Sequence, residues 1–329
     1  MRKMFIFFVA FWVSFMTIYS IYYYKVQSKL DESIVANVKD LPHTVMGLAD
    51  AKDSDKNMIY TEGVSQVIPA LSPDTMHLIG SIPDTDFVSF NGTYTKEHLE
   101  KFYEGLVTKF THHPPISFSN LKDGQRLLLS YYFENIRLPD GFRVSDKNIN
   151  YRGHNIRALQ YYLTPNTDTG TIFFYKNDQT HEFAVKVKFN NGKDELVMYN
   201  DPSSQNWKYA KTAADALMGN KASKCVLTKT QSVLIPEIDF NIVKDYDKEY
   251  VKNNPLLSGF DLVENRIKFK ISPPKGGGPL EVNNSYNTAT NFTMDGNVLY
   301  YIRQTDKLNP YCVIYVTNPE ILKPARAHS

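Results

Sequence analysis

The stretch from Glu182 to Phe189, EFAVKVKF, leaves few structures open to it. Phe183, Val185, Val187 and Phe189 fall on one side of an extended chain, and Lys186 and Lys188 on the other. A period of two marks a strand with one covered face and one wet face. Asn191-Gly192 follows, the strongest short hairpin signal a sequence can carry, and ELVMY returns. An antiparallel pair is therefore expected mid-chain, and some other part of the chain must cover its apolar face.

Other segments extend the pattern. Leu127–Phe133 is apolar except for Ser130, which predicts a strand covered on both faces. RIKFKI at Arg266 alternates, and PPKGGGP from Pro273 to Pro279 breaks it. SVLIPEIDFNI at Ser232 reads as one more strand, with Pro236 at an edge, a bulge or a strand start. Val298–Ile302 and Tyr311–Val316 form a hairpin around a polar turn. Aromatic residues make up 13% of the chain, with 22 Tyr and 20 Phe, which favours a β-rich fold. One helix is clear. Leu99, Phe102, Tyr103, Leu106 and Phe110 share a face between Thr95, a plausible N-cap, and the Pro114-Pro115 stop.

The N-terminus is apolar. Met4–Tyr24 holds 21 residues without a charge, the length of a bilayer-spanning helix. Small residues for a signal cleavage site are few, so an uncleaved signal-anchor is expected, with a cleaved signal as the alternative. Tyr22, Tyr23 and Tyr24 beside Lys25 suit the headgroup level. The sequons at Asn91, Asn283 and Asn291 lean toward the secretory lumen. The expected organisation is an anchor over 1–25, a polar stalk or linker over 26–58, a folded domain over 59–320 and a tail over 321–329. Cys225 and Cys312 are either two buried thiols or one disulfide.

Charge and side-chain chemistry exclude several classes. A net charge of +2 gives no argument for nucleic acid. His112-His113 has no Cys, Asp or Glu at ligand spacing, KGGGP lacks the frame of a phosphate loop, and no Gly-x-Ser-x-Gly occurs. Glu237 and Asp239 are expected on a solvated strand face. No catalysis, cofactor, metal or small-molecule substrate is expected.

The C-terminus carries a resemblance. Phe292, Asp295, Leu299, Ile302, Arg303, Asn318 and Pro319 stand at the offsets of the C-terminus of the serpin family. In the family's order, LLLSYYF looks like its central strand, and FAVKVKFNNGKDELVMY like its two-stranded segment. VLIPEIDFNI is similar to its Pro-then-Phe strand, and LEVN at Leu280 to the start of its reactive loop. The resemblance runs from Leu127 to Pro319. It implies an α+β, serpin-like fold: large mixed and antiparallel sheets, packed helices and, in this chain, an N-terminal transmembrane helix.

Inhibitory members of the family insert a protease-cut loop as a new strand into the large sheet. Between Asn283 and Phe292 this chain has Asn284, Ser285, Tyr286, Asn287, Thr288, Ala289, Thr290 and Asn291. Eight extended residues reach less than roughly 30 Å. Their amides would be costly to bury, and a glycan at Asn283 or Asn291 would block insertion. Leu129 stands where the family has an Asn, Arg137 where it has a Trp, and KGGGP replaces its alternating pre-loop strand. The expectation is a vestigial loop on a non-inhibitory, protein-binding ectodomain at a membrane or envelope surface, a viral envelope included. Its partner would be a protease or a surface receptor. The chain would be single-pass with a lumenal or extracellular C-terminal domain, or secreted if the signal is cleaved. The alternatives are a protease inhibitor with a short reactive loop and a structural envelope protein.

Overall fold

The computed structural model describes residues 35–37, 40–46, 55–61, 87–109, 121–162, 170–203, 206–228, 231–255, 257–274 and 290–325. These form three sheets. The large sheet orders β1 (Val35–Asn37), β13 (Asp239–Asp245), β14 (Leu262–Ser272), β5 (Arg126–Arg137) and β4 (Phe87–Thr93). Its β1–β13 and β14–β5 neighbours are parallel and the other pairs antiparallel. An eight-stranded sheet orders β11 (Lys224–Cys225), β8 (Ile172–Asn177), β9 (Glu182–Lys188), β10 (Asp194–Asp201), β16 (Asn297–Gln304), β17 (Pro310–Val316), β3 (Asn57–Thr61) and β2 (Thr44–Met46). The third sheet orders β15 (Thr290–Thr293), β12 (Gln231–Pro236), β7 (His154–Tyr162) and β6 (Phe142–Tyr151).

One core joins the three. The inner face of the large sheet gives Tyr132, Ile267 and Phe269; the eight-stranded sheet gives Met198, Tyr300 and Val313; the third sheet gives Leu159 and Val233. Helix α1 (Lys96–Lys109) lies on the outer face of the large sheet. Helix α2 (Trp207–Gly219) packs Trp207, Ala210, Ala214 and Leu217 into the main core. Helix α3 (Lys248–Asn253) covers Leu128 and Val263 with Val251.

The sequence periods translate directly in several places. Val185 and Val187 are buried and Lys188 is exposed, as the alternation requires. Asn191-Gly192 sits in the hairpin, but the turn is wider than two residues. Phe189 donates to the Asp194 carbonyl at 2.9 Å, and the Asn191 side chain accepts from Lys193 and Asp194. Gly192 takes a positive φ of 67°, the left-handed conformation glycine adopts without a Cβ penalty. In β5 the run from Leu127 to Phe133 is buried throughout. Thr95 caps α1 by accepting from the His98 N–H. Phe102 and Leu106 are buried beneath that helix, whereas Tyr103 is 39% exposed and off its apolar face.

Other expectations need correction. Residues 26–58 are not a stalk where they are described. β1 extends the large sheet, and β2 and β3 close one edge of the eight-stranded sheet. Asn57 is fully buried. Its Oδ1 accepts from the Thr317 and Asn318 N–H groups at 2.8 and 2.7 Å, and its Nδ2 donates to Thr44 Oγ1. Glu320 in turn accepts from the His43 N–H and the Thr44 hydroxyl. Residues 321–325 are not a loose tail: Leu322 and Pro324 bridge to Ile238 and Ile156, and Ile321 is buried. SVLIPEIDFNI is two strands, because the chain leaves the third sheet at Pro236 and enters the large sheet at Asp239. A proline, which cannot donate to a ladder, ends the first. Glu237 and Asp239 are not on a solvated face. Glu237 is buried against Arg157 and Lys323, and Asp239 pairs with Lys270 and Lys323.

Cys225 and Cys312 are both thiols. Four strands separate β11 from β17 in the sheet. At about 4.8 Å per strand that distance far exceeds the ~7 Å limit for a disulfide. The expected transmembrane helix lies outside the described residues, within which no helix is long and apolar enough to cross a membrane. His112 and His113 lie outside them as well.

Candidate functional site

The centre of the large sheet is a parallel seam. β5 and β14 are in register through eleven consecutive residue pairs, from Leu127–Leu262 to Arg137–Ser272. β5 is entered from β4 through α1 and leaves for β6 of the third sheet, and β14 is entered from β13 through α3. On the outer face Leu127, Leu129, Tyr131 and Phe133 of β5 lie under Phe102 and Leu106 of α1. The Phe102 and Tyr131 rings are 5.6 Å apart. Leu129 is fully buried there, and Arg137 is exposed at the end of the seam.

Beside that apolar stripe β14 carries charge. Tyr131 on β5 donates to Glu264 Oε1 on β14, so this bond spans the seam. Asp245 of β13 stands directly opposite Glu264. Burial pushes the Glu264 carboxyl up to about 7. The Tyr131 bond and Arg266 oppose that rise, and the nearby, hydrogen-bonded Asp245 adds to it. The Tyr131 phenol is raised well above its ordinary value, by burial first and by Glu264 second. Burial lowers Arg266, whose Nε donates to Asn241 Oδ1 at 3.3 Å. A strand entering the seam would part β5 and β14 by about 4.8 Å and break the Tyr131–Glu264 bond.

From Ser272 the chain crosses to the third sheet, where β15 pairs in parallel with β12. Of the expected loop residues, Thr290 and Asn291 belong to the backbone ladder of β15. Asn283, Asn284, Ser285, Tyr286, Asn287, Thr288 and Ala289 lie outside the described residues. The span between the two anchoring strands is therefore residues 273–289, not Asn284–Asn291. At about 3.3 Å per residue those seventeen residues reach roughly 56 Å. Length therefore does not bar this span from entering the large sheet. The strand that precedes this span, β14, alternates and runs complete to Ser272, so KGGGP does not stand in its place. What remains is composition: Pro279 has no N–H for a central ladder.

The C-terminal residues that carried the resemblance take structural positions. Phe292 stacks on Phe183 at 5.2 Å and ties the third sheet to the eight-stranded one. Arg303 joins Glu195 of β10 to Asp215 of α2, at 2.8 and 3.0 Å. Asn318 caps the turn at Pro319–Ile321. Asn91 is exposed on β4. Among the described residues no group of three metal-ligating side chains converges.

The chain is thus a mixed α+β protein of three sheets with a parallel seam at the centre of the largest. No family model and no curated protein matches it. Among solved structures it is similar to native protease nexin-1, a serpin crystallised with heparin. The match has a TM-score of 0.40 and 11% identity, and it covers 68% of this chain and 66% of that one.

Proposed function

We propose that the chain is a serpin-like, non-inhibitory, protein-binding ectodomain held on a membrane or envelope surface by its N-terminal segment. The single observation that carries the non-inhibitory reading lies in the segment that would insert: Pro279 has no N–H for a central ladder, and Asn283, Asn284 and Asn287 carry amides that are costly to bury in the seam. The Tyr131–Glu264 bond across the seam adds a contact that insertion would break. The serpin-like reading rests on the ordered sequence blocks and on their strands. The central run lies beside β14, the two-stranded segment is β9–β10, and the last hairpin is β16–β17. The soluble part would lie in the lumen or outside, with Asn91 as an exposed glycan acceptor. The proposal assigns the chain no catalysis and no cofactor.

The reading is tested by mixing the full chain with a panel of serine and cysteine proteases and boiling the products in detergent. No loss of protease activity and no surviving complex are expected; stoichiometric loss without a surviving complex would point instead to an inhibitor with a short reactive loop. A covalent band would overturn the reading. It would favour a second one, a trapping inhibitor, which the seventeen-residue span supports.

A further inference from the structure

The eight-stranded sheet carries a concentration of charge that the proposed role does not use. Phe173 on β8 faces Lys186 on β9 as a direct cross-strand pair. Lys186, Lys188 and Lys224 place their ammonium nitrogens 5.3, 5.4 and 5.0 Å from the centroid of that one ring. Any two of them therefore lie within twice the longest of these distances. They come from both flanking strands, β9 and β11, onto the ring between them. Lys186 shares Glu195 with Arg303, at 3.5 Å for the lysine. Lys188 and Lys224 are exposed and have no carboxylate within ion-pair distance among the described residues. Two like charges beside a third thus stay without a carboxylate partner on the sheet surface.

We propose that Phe173 and these lysines form a binding site for a multiply charged oxyanion of the phosphate or sulfate type. The ring attracts ammonium groups through its negative face, so the lysine heads are held together before any ligand arrives. Pre-placed groups lose less freedom on binding than mobile ones. An ammonium is a compact point charge with three donors, suited to an oxyanion with several oxygens rather than to a planar carboxylate fork. Arg303 does not join the site, because its guanidinium is committed to Glu195 and Asp215. The site is independent of whether the seam can open.

The test is calorimetric titration of the full chain, in mild detergent at low salt, with tripolyphosphate and with sucrose octasulfate. Binding of at least one is expected, and it should weaken as salt rises. The doubly substituted K188Q/K224Q chain should bind about tenfold more weakly. F173L, which keeps an apolar side chain but removes the ring, should weaken binding by less. K252Q, on α3, should bind like the parent. Tighter binding of one probe identifies the phosphate or the sulfate source. Binding of neither, equal binding by K188Q/K224Q, or equal weakening in K252Q would overturn the proposal.

Discussion

Replacing Glu264 with Gln isolates the chemistry of the seam. The carboxyl lies between Tyr131 and Asp245, and burial raises it to about 7. A group raised in the folded chain stabilises it fully below the carboxylate's ordinary value. That stability is lost as pH rises through the folded value. The window here runs from about 4.5 to 7. One pH step is worth ~1.4 kcal/mol. With partial solvent access and the neighbouring Asp245, the loss across the window comes to about 1–3 kcal/mol. Gln keeps an acceptor for the Tyr131 hydroxyl and cannot ionise. E264Q should therefore match the parent near pH 4.5 and exceed it by about 1–3 kcal/mol at pH 8. Urea unfolding of both chains at several pH values measures the difference, which cancels every other titrating group. A constant difference across the range, or a parent more stable than E264Q at pH 8, would refute the reasoning.

Three further substitutions probe the frame. N57A orphans the buried Thr317 and half-buried Asn318 N–H groups and should cost about 2–4 kcal/mol in urea unfolding, at roughly 1–3 kcal/mol per fully buried orphan. G141A should be destabilising by more than 1 kcal/mol, read as a lowered melting temperature. Gly141 has a φ of 103°, and an added Cβ would meet the Tyr161 ring at 2.7 Å. R303M removes the cation that joins the buried Glu195 to the half-buried Asp215, while Lys186 and Lys211 still pair with these carboxylates, and should cost about 1–2 kcal/mol, with α2 losing amide-exchange protection first.

Where a local period sets the structure, the sequence made it legible. β5, β9, β10, β14 and α1 follow from side-chain spacing, because each buries a face that its own residues define. β1 and β2 were hidden for the opposite reason. Each has three residues; β1 is placed by pairing with the distant β13, and β2 by the neighbouring β3, which is itself placed by the distant β17. Asn57 reads as a polar linker residue until Thr317 and Asn318 come within reach of its amide. Glu237 is buried only because Arg157 and Lys323 arrive from other segments. Pro236 announced a break, and the structure makes that break a change of sheet. The length of the span before β15 is not legible at LEVN, because β14 already ends at Ser272, well before Asn283. The lysines around Phe173 could not be seen in the sequence, since Lys224 joins the others only through the two-residue strand β11.

On the proposed reading the seam stays closed. Limited proteolysis of the full chain within residues 275–289, followed by thermal melting of the nicked protein, tests it most directly. The account predicts a melting temperature equal to or below that of the uncut chain, because the freed segment gains no place in the large sheet. A rise of tens of degrees would mean that the segment had become a strand between β5 and β14, and would contradict the account.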